Sequence, residues 1–382
     1  MVQGADYIEA TPCPRDYLDT IYNNIAVTNC LETILKRGDR RHFVGVCGPT
    51  ELHSFGDTLG DCCKNMGLAM AKFWAYSPVV GLKKSVETLR QLGITALMCT
   101  PGMALTTAKV ARQLGYNLRK DFALEVILLT GELGSPAMMR NIGGLWGAET
   151  YNFLYGAQEA LVLATATSSH RMHVFPLNFF YEVIDPETGR RVAAIDDVRT
   201  GELVISMLFQ GSKPLVRYRT GDFVRMCEAR AGDTFPAPVV EVLGRTRDAL
   251  LLNGRQVQGY DLEQMLIENA QGTLGYQITI TNDGVDSVHV ALEPLDGRED
   301  LRQARAIGEA FRARLGVDAT VTFGELGSIG STGALVSWKA ARIIDLRTAG
   351  DAALAEKLEA ERRVALQIAQ ARDRLLEGVG PS

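Results

Sequence analysis

The residues of this chain best suited to handling charge sit in four short, glycine-containing segments. They are Leu129-Thr130-Gly131-Glu132, Tyr155-Gly156-Ala157-Gln158-Glu159, Tyr218-Arg219-Thr220-Gly221-Asp222 and Gly244-Arg245-Thr246-Arg247-Asp248. Far downstream lies Ser337-Trp338-Lys339-Ala340-Ala341-Arg342. A site that brings two anionic groups together needs a cation and a divalent metal to offset their repulsion. These segments offer the parts. A hard carboxylate oxygen suits Mg²⁺, a carboxylate can accept two hydrogen bonds at once, and Arg and Lys supply positive charge. Taken singly, each has an ordinary explanation: Glu159 as an exposed carboxylate, Asp222 as a turn residue, Lys339 as a solvated surface lysine. Their order along the chain says more than any one of them. The five histidines show no metal-ligand spacing, except that His170 and His173 stand three apart.

The elements that must position these segments change character along the chain. Residues 15–37 carry apolar residues at helical spacing. His42–Cys47 is a short apolar strand that ends in Gly48-Pro49. Residues 56–71 are rich in small residues and are expected to be helical. Helices at Lys83–Leu92, Leu105–Leu114 and Pro136–Leu145 then alternate with strands at Ala96–Cys99 and Glu125–Leu129. Such alternation predicts an α/β domain with a largely parallel sheet. After residue 172 the pattern turns β-rich, with strands at Val174–Val183, Gly201–Leu208, Arg217–Met226 and Val239–Leu243, and a turn at Asp185-Pro186-Glu187-Thr188-Gly189. From Ala249 a small α+β module follows: strand Leu250–Leu252, turn Asn253-Gly254, helix Tyr260–Glu268, strands Tyr276–Thr281 and Ser287–Leu292, helix Leu301–Leu315, strand Thr320–Phe323. Residues 351–377 read as a charged amphipathic helix, a packing or homodimer element.

Bulk properties exclude several classes. A net charge of -5 and a pI near 5.7 argue against binding a nucleic-acid backbone. No apolar run is long enough to span a bilayer, and the N-terminal residues lack the basic and apolar regions of a signal peptide. The seven scattered cysteines include no CxxC pair, and an odd count without framework spacing fits a reducing, cytoplasmic setting. They read as small hydrophobes. No GxGxxG follows a strand and opens a helix, which speaks against a Rossmann oxidoreductase.

YGxxE, YRTGD and GRxxD in that order, with a lysine near the end of a small C-terminal module, resemble the adenylate-forming ligase superfamily, and within it the phenylacetate–CoA ligase-like branch. The resemblance covers residues 10–347. It implies an α/β large domain over 1–246, with mixed sheets and a β-rich second half, a mobile α+β C-terminal domain over 249–347, and the amphipathic helix in 348–382. It implies that a carboxylic acid, aryl or small acyl, is activated with ATP as an acyl-adenylate and passed to a thiol of CoA or of a carrier protein's phosphopantetheine. Lys339 would be the catalytic lysine that bridges the acyl carboxylate and the α-phosphate. Gly131, Glu132, Tyr155, Gly156, Asp222 and Arg245 would hold the nucleotide, with Tyr155 offering a flat face to adenine and Asp222 accepting from the ribose hydroxyls. Glu159 would bind Mg²⁺, Arg247 would be the hinge, and His53, after the Gly-Pro turn, would face the acyl pocket. Loading of an aromatic starter acid in specialised metabolism is the setting the analogy suggests.

Two departures stand out. The family's SGTTGxP-type phosphate loop normally precedes a segment like Pro14-Arg15-Asp16-Tyr17, and no such loop is found there. The chain is therefore expected to begin within the ligase fold and to adenylate slowly. Gly327–Gly333 (GSIGSTG) only superficially resembles that loop. Trp338 also stands where the family often has glycine before its lysine. The alternative is a weakened homologue that binds acyl group, nucleotide or carrier protein without full turnover.

Overall fold

The computed structural model describes residues 13–37, 41–49, 54–77, 79–282, 284–326, 329 and 342–347. His53, Lys339, most of Gly327–Gly333, the 351–377 helix and everything before Cys13 lie outside these residues.

Helix α1 (Tyr17–Leu35) starts at Asp16 with a reciprocal cap. The Asp19 amide donates to Asp16 Oδ1 at 2.8 Å, and the Asp16 amide donates to Asp19 Oδ2 at 3.1 Å. The chain then alternates through β1 (Phe43–Cys47), α2 (Phe55–Asn65), β2 (Ala69–Phe73), α3 (Gly81–Gln91), β3 (Ala96–Cys99), α4 (Pro101–Gln113), β4 (Val126–Thr130), α5 (Pro136–Trp146) and β5 (Glu149–Ala157). Helices α4 and α5 share one start signal: Thr100 or Ser135 as N-cap, followed by Pro at the first helical position. Strands β2, β1, β3, β4 and β5 pair in that order, all parallel.

The same sheet continues antiparallel through β6 (Leu161–Ala166), β7 (Met172–Val174), β11 (Val239–Arg245), β10 (Tyr218–Cys227), β9 (Val198–Met207) and β8 (Phe179–Ile184). The changeover falls between β5 and β6, at the turn that holds Gln158 and Glu159. A further group of elements follows a 3-10 turn at Thr246–Asp248. Hairpin β12 (Leu250–Leu252) and β13 (Arg255–Val257) closes on Asn253-Gly254, both with positive φ, as a primed two-residue turn requires. Then come α6 (Gly259–Glu268), β14 (Thr273–Asn282), β15 (Asp286–Pro294), α7 (Leu301–Leu315), β16 (Asp318–Phe323) and β17 (Ile343–Asp345), with sheet order β16-β15-β14-β17. The molecule is thus an α/β unit with a β-rich second half, followed by a small α+β unit. Among the described residues no helix is long and apolar enough to cross a membrane.

Three expectations are corrected. Residues 56–71 are not one helix: Gly67, with φ of 67°, ends α2, and Ala69–Phe73 pairs with β1. Val174–Val183 is two strands, because Phe175–Asn178 turns back on itself through the Asn178 N–H to Phe175 O bond of 2.9 Å. The stretch read without any element, 149–166, holds the central strands β5 and β6.

The seven cysteines are free thiols, five of them buried. Burial pushes Cys30, Cys47 and Cys63 up to about 12 and Cys62 to about 11, so these thiols stay protonated and serve as packing atoms. Within the small unit, Asp286 ties turn and strands together. Its carboxylate accepts from the Asn253 amide at 2.9 Å and the Asn282 side chain at 2.8 Å, and pairs with Arg347 at 3.0 Å. The Asn253 amide first, then Asn282 and Arg347, hold its carboxyl down to about 2. A depressed folded-state value contributes stability above the unfolded value and loses it as pH falls through the folded one. The small unit should therefore weaken between about pH 4 and pH 2, and Asp286→Asn should be less stable at neutral pH with a flatter acid limb. Urea unfolding at neutral and acid pH checks this. Parallel losses in parent and variant would show that Asp286 is not the group concerned.

Candidate active site

The pairing of β10 with β11 sets Asp222 directly opposite Arg245. The Arg245 Nε lies 2.9 Å from Asp222 Oδ1, and its Nη1 donates to the Thr220 carbonyl at 2.8 Å. Gly221, with φ of 71°, and a slip in register against β9 between Arg219 and Phe223 make room for this turn of the strand. From β5, the Tyr155 hydroxyl donates to Asp222 Oδ2 at 2.6 Å. Four residues earlier on β10, the Tyr218 hydroxyl donates to Glu159 Oε1 at 3.0 Å. Tyr155, Asp222 and Arg245 are thus in direct contact, and Glu159 joins them through Tyr218, on the strand that carries Asp222.

Burial and neighbouring charge act on the two phenols of this network. Burial, then the Asp222 charge, pushes the Tyr155 phenol well above its ordinary value. Burial and Glu159 push Tyr218 up to about 12. Both phenols remain O–H donors at neutral pH. The Tyr155 ring is only 9% exposed, within the core of the antiparallel half. Its hydroxyl, rather than its face, reaches the cluster.

Gly131 and Gly156 line one small cavity together with Arg15, Ser54, Thr58 and Gln158, over an apolar floor of Phe55, Leu59, Leu161 and Val162. Gly156 has to be glycine: a β-carbon there would lie 2.2 Å from the Leu161 carbonyl oxygen. Gly131, at the end of β4, has φ of 81°. Gln158 Oε1 accepts from Ser54 at 3.1 Å and from Arg15 at 3.4 Å. Burial lowers the Arg15 guanidinium from its ordinary value. Glu132 turns the other way. Its Oε2 accepts from the Gly102 amide at 2.9 Å, at the N-terminus of α4, and from Arg342 at 2.7 Å. Arg247 lies exposed in the 3-10 turn, its Nε 3.6 Å from Asp248.

No group of three or more His, Cys, Asp or Glu among the described residues could hold a metal. His170 stacks on Tyr151, while His173 is buried with Nδ1 2.9 Å from the Ala237 carbonyl oxygen. Glu159 is a lone carboxylate, a donor set that fits an ion completed by phosphate oxygens and water. Sequence reasoning gave no role to Tyr218 and Gln158, though both stand inside the motifs. It also missed Arg15, which carries no signal beyond preceding a helix cap.

The chain matches no family model. It is 26% identical over 226 residues to the phenylacetate-coenzyme A ligase of Thermus thermophilus, a match covering 56% of this chain and 49% of that one. It is 24% identical over 277 residues to the phenylacetate-coenzyme A ligase of Escherichia coli, covering 69% and 61%. The chain spans about half the length of the curated relatives it matches. Among solved structures, a 2-hydroxyisobutyryl-CoA ligase in complex with 2-HIB-AMP superposes with a TM-score of 0.72 at 22% identity, covering 90% of this chain and 73% of that one.

Proposed function

We propose, for a chain that belongs to the adenylate-forming ligase superfamily and its phenylacetate–CoA ligase-like branch, that it activates a small or aryl carboxylic acid with ATP and passes the acyl group to a thiol of CoA or of a carrier protein. The observation that carries this reading is the contact of Tyr155, Asp222 and Arg245 beside the sheet changeover, with Glu159 linked to them by Tyr218.

In this reading Asp222 offers its remaining lone pairs to the ribose hydroxyls, held in place by Tyr155 and Arg245. Arg245 adds positive charge on the phosphate side. Glu159 would hold Mg²⁺, which neutralises phosphate charge when bound. Arg15, half-buried on the cavity that Gly131 and Gly156 line, is a cation available to an anion there. That cavity, about 70 Å³ over an apolar floor, suits a small apolar group rather than a ring. Arg247 is the point about which the small unit turns between adenylation and transfer to the thiol.

The test is acid-dependent exchange of pyrophosphate into ATP across a panel of aryl and short-chain acids, beside calorimetric titration with a non-hydrolysable acyl-adenylate mimic. Exchange with at least one acid and saturable binding of the mimic are expected. Failure of the mimic to bind would end the reading. Binding without exchange would mark a chain that holds the adenylate without making it.

A further inference from the structure

Two buried ion clusters join the small unit to the large one. In the first, Arg342 reaches Glu132 of the large unit at 2.7 Å and Glu263 of α6 at 3.0 Å, and lies over the Tyr276 ring. All three charged side chains are nearly inaccessible, at 11%, 6% and 3%. One cation faces two carboxylates, and helix N-termini of the large unit offset the excess. The Gly102 amide donates to Glu132 at 2.9 Å, and the Ser135 amide donates to Glu263 at 2.9 Å. In the second cluster, Lys109 of α4 pairs with Glu293 of β15, whose side chain is wholly buried. Lys109 also donates to the Ile329 carbonyl at 3.2 Å, and the Ile329 amide donates to Glu293 at 2.5 Å. Gly275 leaves the space that this pair occupies.

Charged pairs of this kind are poor glue. Their desolvation cost offsets much of their attraction, but they demand one geometry. When the units part, each side chain regains water, so the contact can be released in a way that an apolar one cannot. Both clusters close only when the units meet in this orientation, and Arg342 follows Lys339 by three residues.

We propose that Arg342 and Lys109 are positioning residues: they clasp the small unit in the orientation that serves acid activation, and their release permits the turn toward thiol transfer. This rests on the reading given under Proposed function, and the pairing of these particular side chains is the addition.

The test uses the whole chain and the double variant Lys109→Met/Glu293→Gln, which removes both charges and leaves no buried ion unpaired. A second variant, Glu132→Gln, weakens the other cluster. The first readout is hydrogen exchange at the Ser135 and Gly272 amides, which bond across the units to Glu263 and to Asn141 Oδ1. Their exchange should quicken by at least about tenfold in the double variant while amides inside each unit keep their rates. The second readout is the split between half-reactions. Pyrophosphate exchange should fall by about tenfold, while transfer from synthetic acyl-adenylate to CoA holds or rises. Unchanged amide exchange overturns the clasp whatever the activity, and equal losses in both half-reactions overturn the positioning role. A parent chain with no exchange activity would refute the proposed function, and the amide rates would still judge the clasp.

Discussion

Asp222→Ala is expected to unfold at lower denaturant and to lose the acyl-adenylate mimic, because the side chain it removes has two jobs. Its oxygens are the acceptors for the buried Tyr155 hydroxyl and the partner of Arg245. Stranding those donors in a site where Asp222 is only 6% exposed should lower stability by about 2–4 kcal/mol. Affinity for the mimic should drop by about a hundredfold, the loss of two charge-assisted bonds to the ribose. Asp222→Asn separates the two effects. It keeps one oxygen acceptor and nearly the same shape, so it should recover part of the stability while binding remains weak. Denaturant unfolding and calorimetry on the three proteins measure both. An alanine variant that unfolds and binds like the parent would remove Asp222 from the site.

Lys339→Ala should split the reaction in two. A lysine that bridges two anions in the activating transition state contributes there and little elsewhere, so acid activation should slow by about a hundredfold to a thousandfold. Transfer from synthetic acyl-adenylate to a thiol should change by less than about threefold. Lys339 lies outside the described residues, so its role rests on its place in the motif, three positions before Arg342. Rapid-quench rates for each half-reaction settle the matter. Equal slowing of both steps would assign the lysine to general binding, and no slowing would remove it from the chemistry.

How much of this was legible beforehand follows from where the signals lie. Apolar runs bounded by glycine or proline read correctly as strands: Val126–Thr130 before Gly131 was expected at nearly its observed bounds. Helix α5 announced itself by the proline at its start, whereas α4 was expected only from Leu105, four positions after the Thr100-Pro101 signal that opens it. Strands β5 and β6 did not, because their connecting turn carries no punctuation. The chain reverses through Leu161 at φ of 63°, a left-handed position that glycine or asparagine ordinarily marks. The motif residues were legible as candidates, but their partners were not. That Tyr155 would present its hydroxyl to Asp222 depends on strands 67 positions apart. Glu132 meets Arg342 across 210 positions, and no local pattern encodes such a pairing. Arg15 was invisible for the same reason: only the tertiary fold brings it to Gln158.

The two clasps also constrain the history of the chain. A β-carbon on Gly102 would lie 2.9 Å from Glu132 Oε1, and one on Gly275 would lie 2.6 Å from Glu293 Oε2. Each glycine therefore leaves the acid that faces it in its present place. Along a lineage of descent, alanine or serine at the glycine would have to push the carboxylate aside and disturb its ion pair, so the two positions are expected to change together. Relatives that retain both acids should retain both glycines, and those that have abandoned the ion pairs should be free to drift at these two positions.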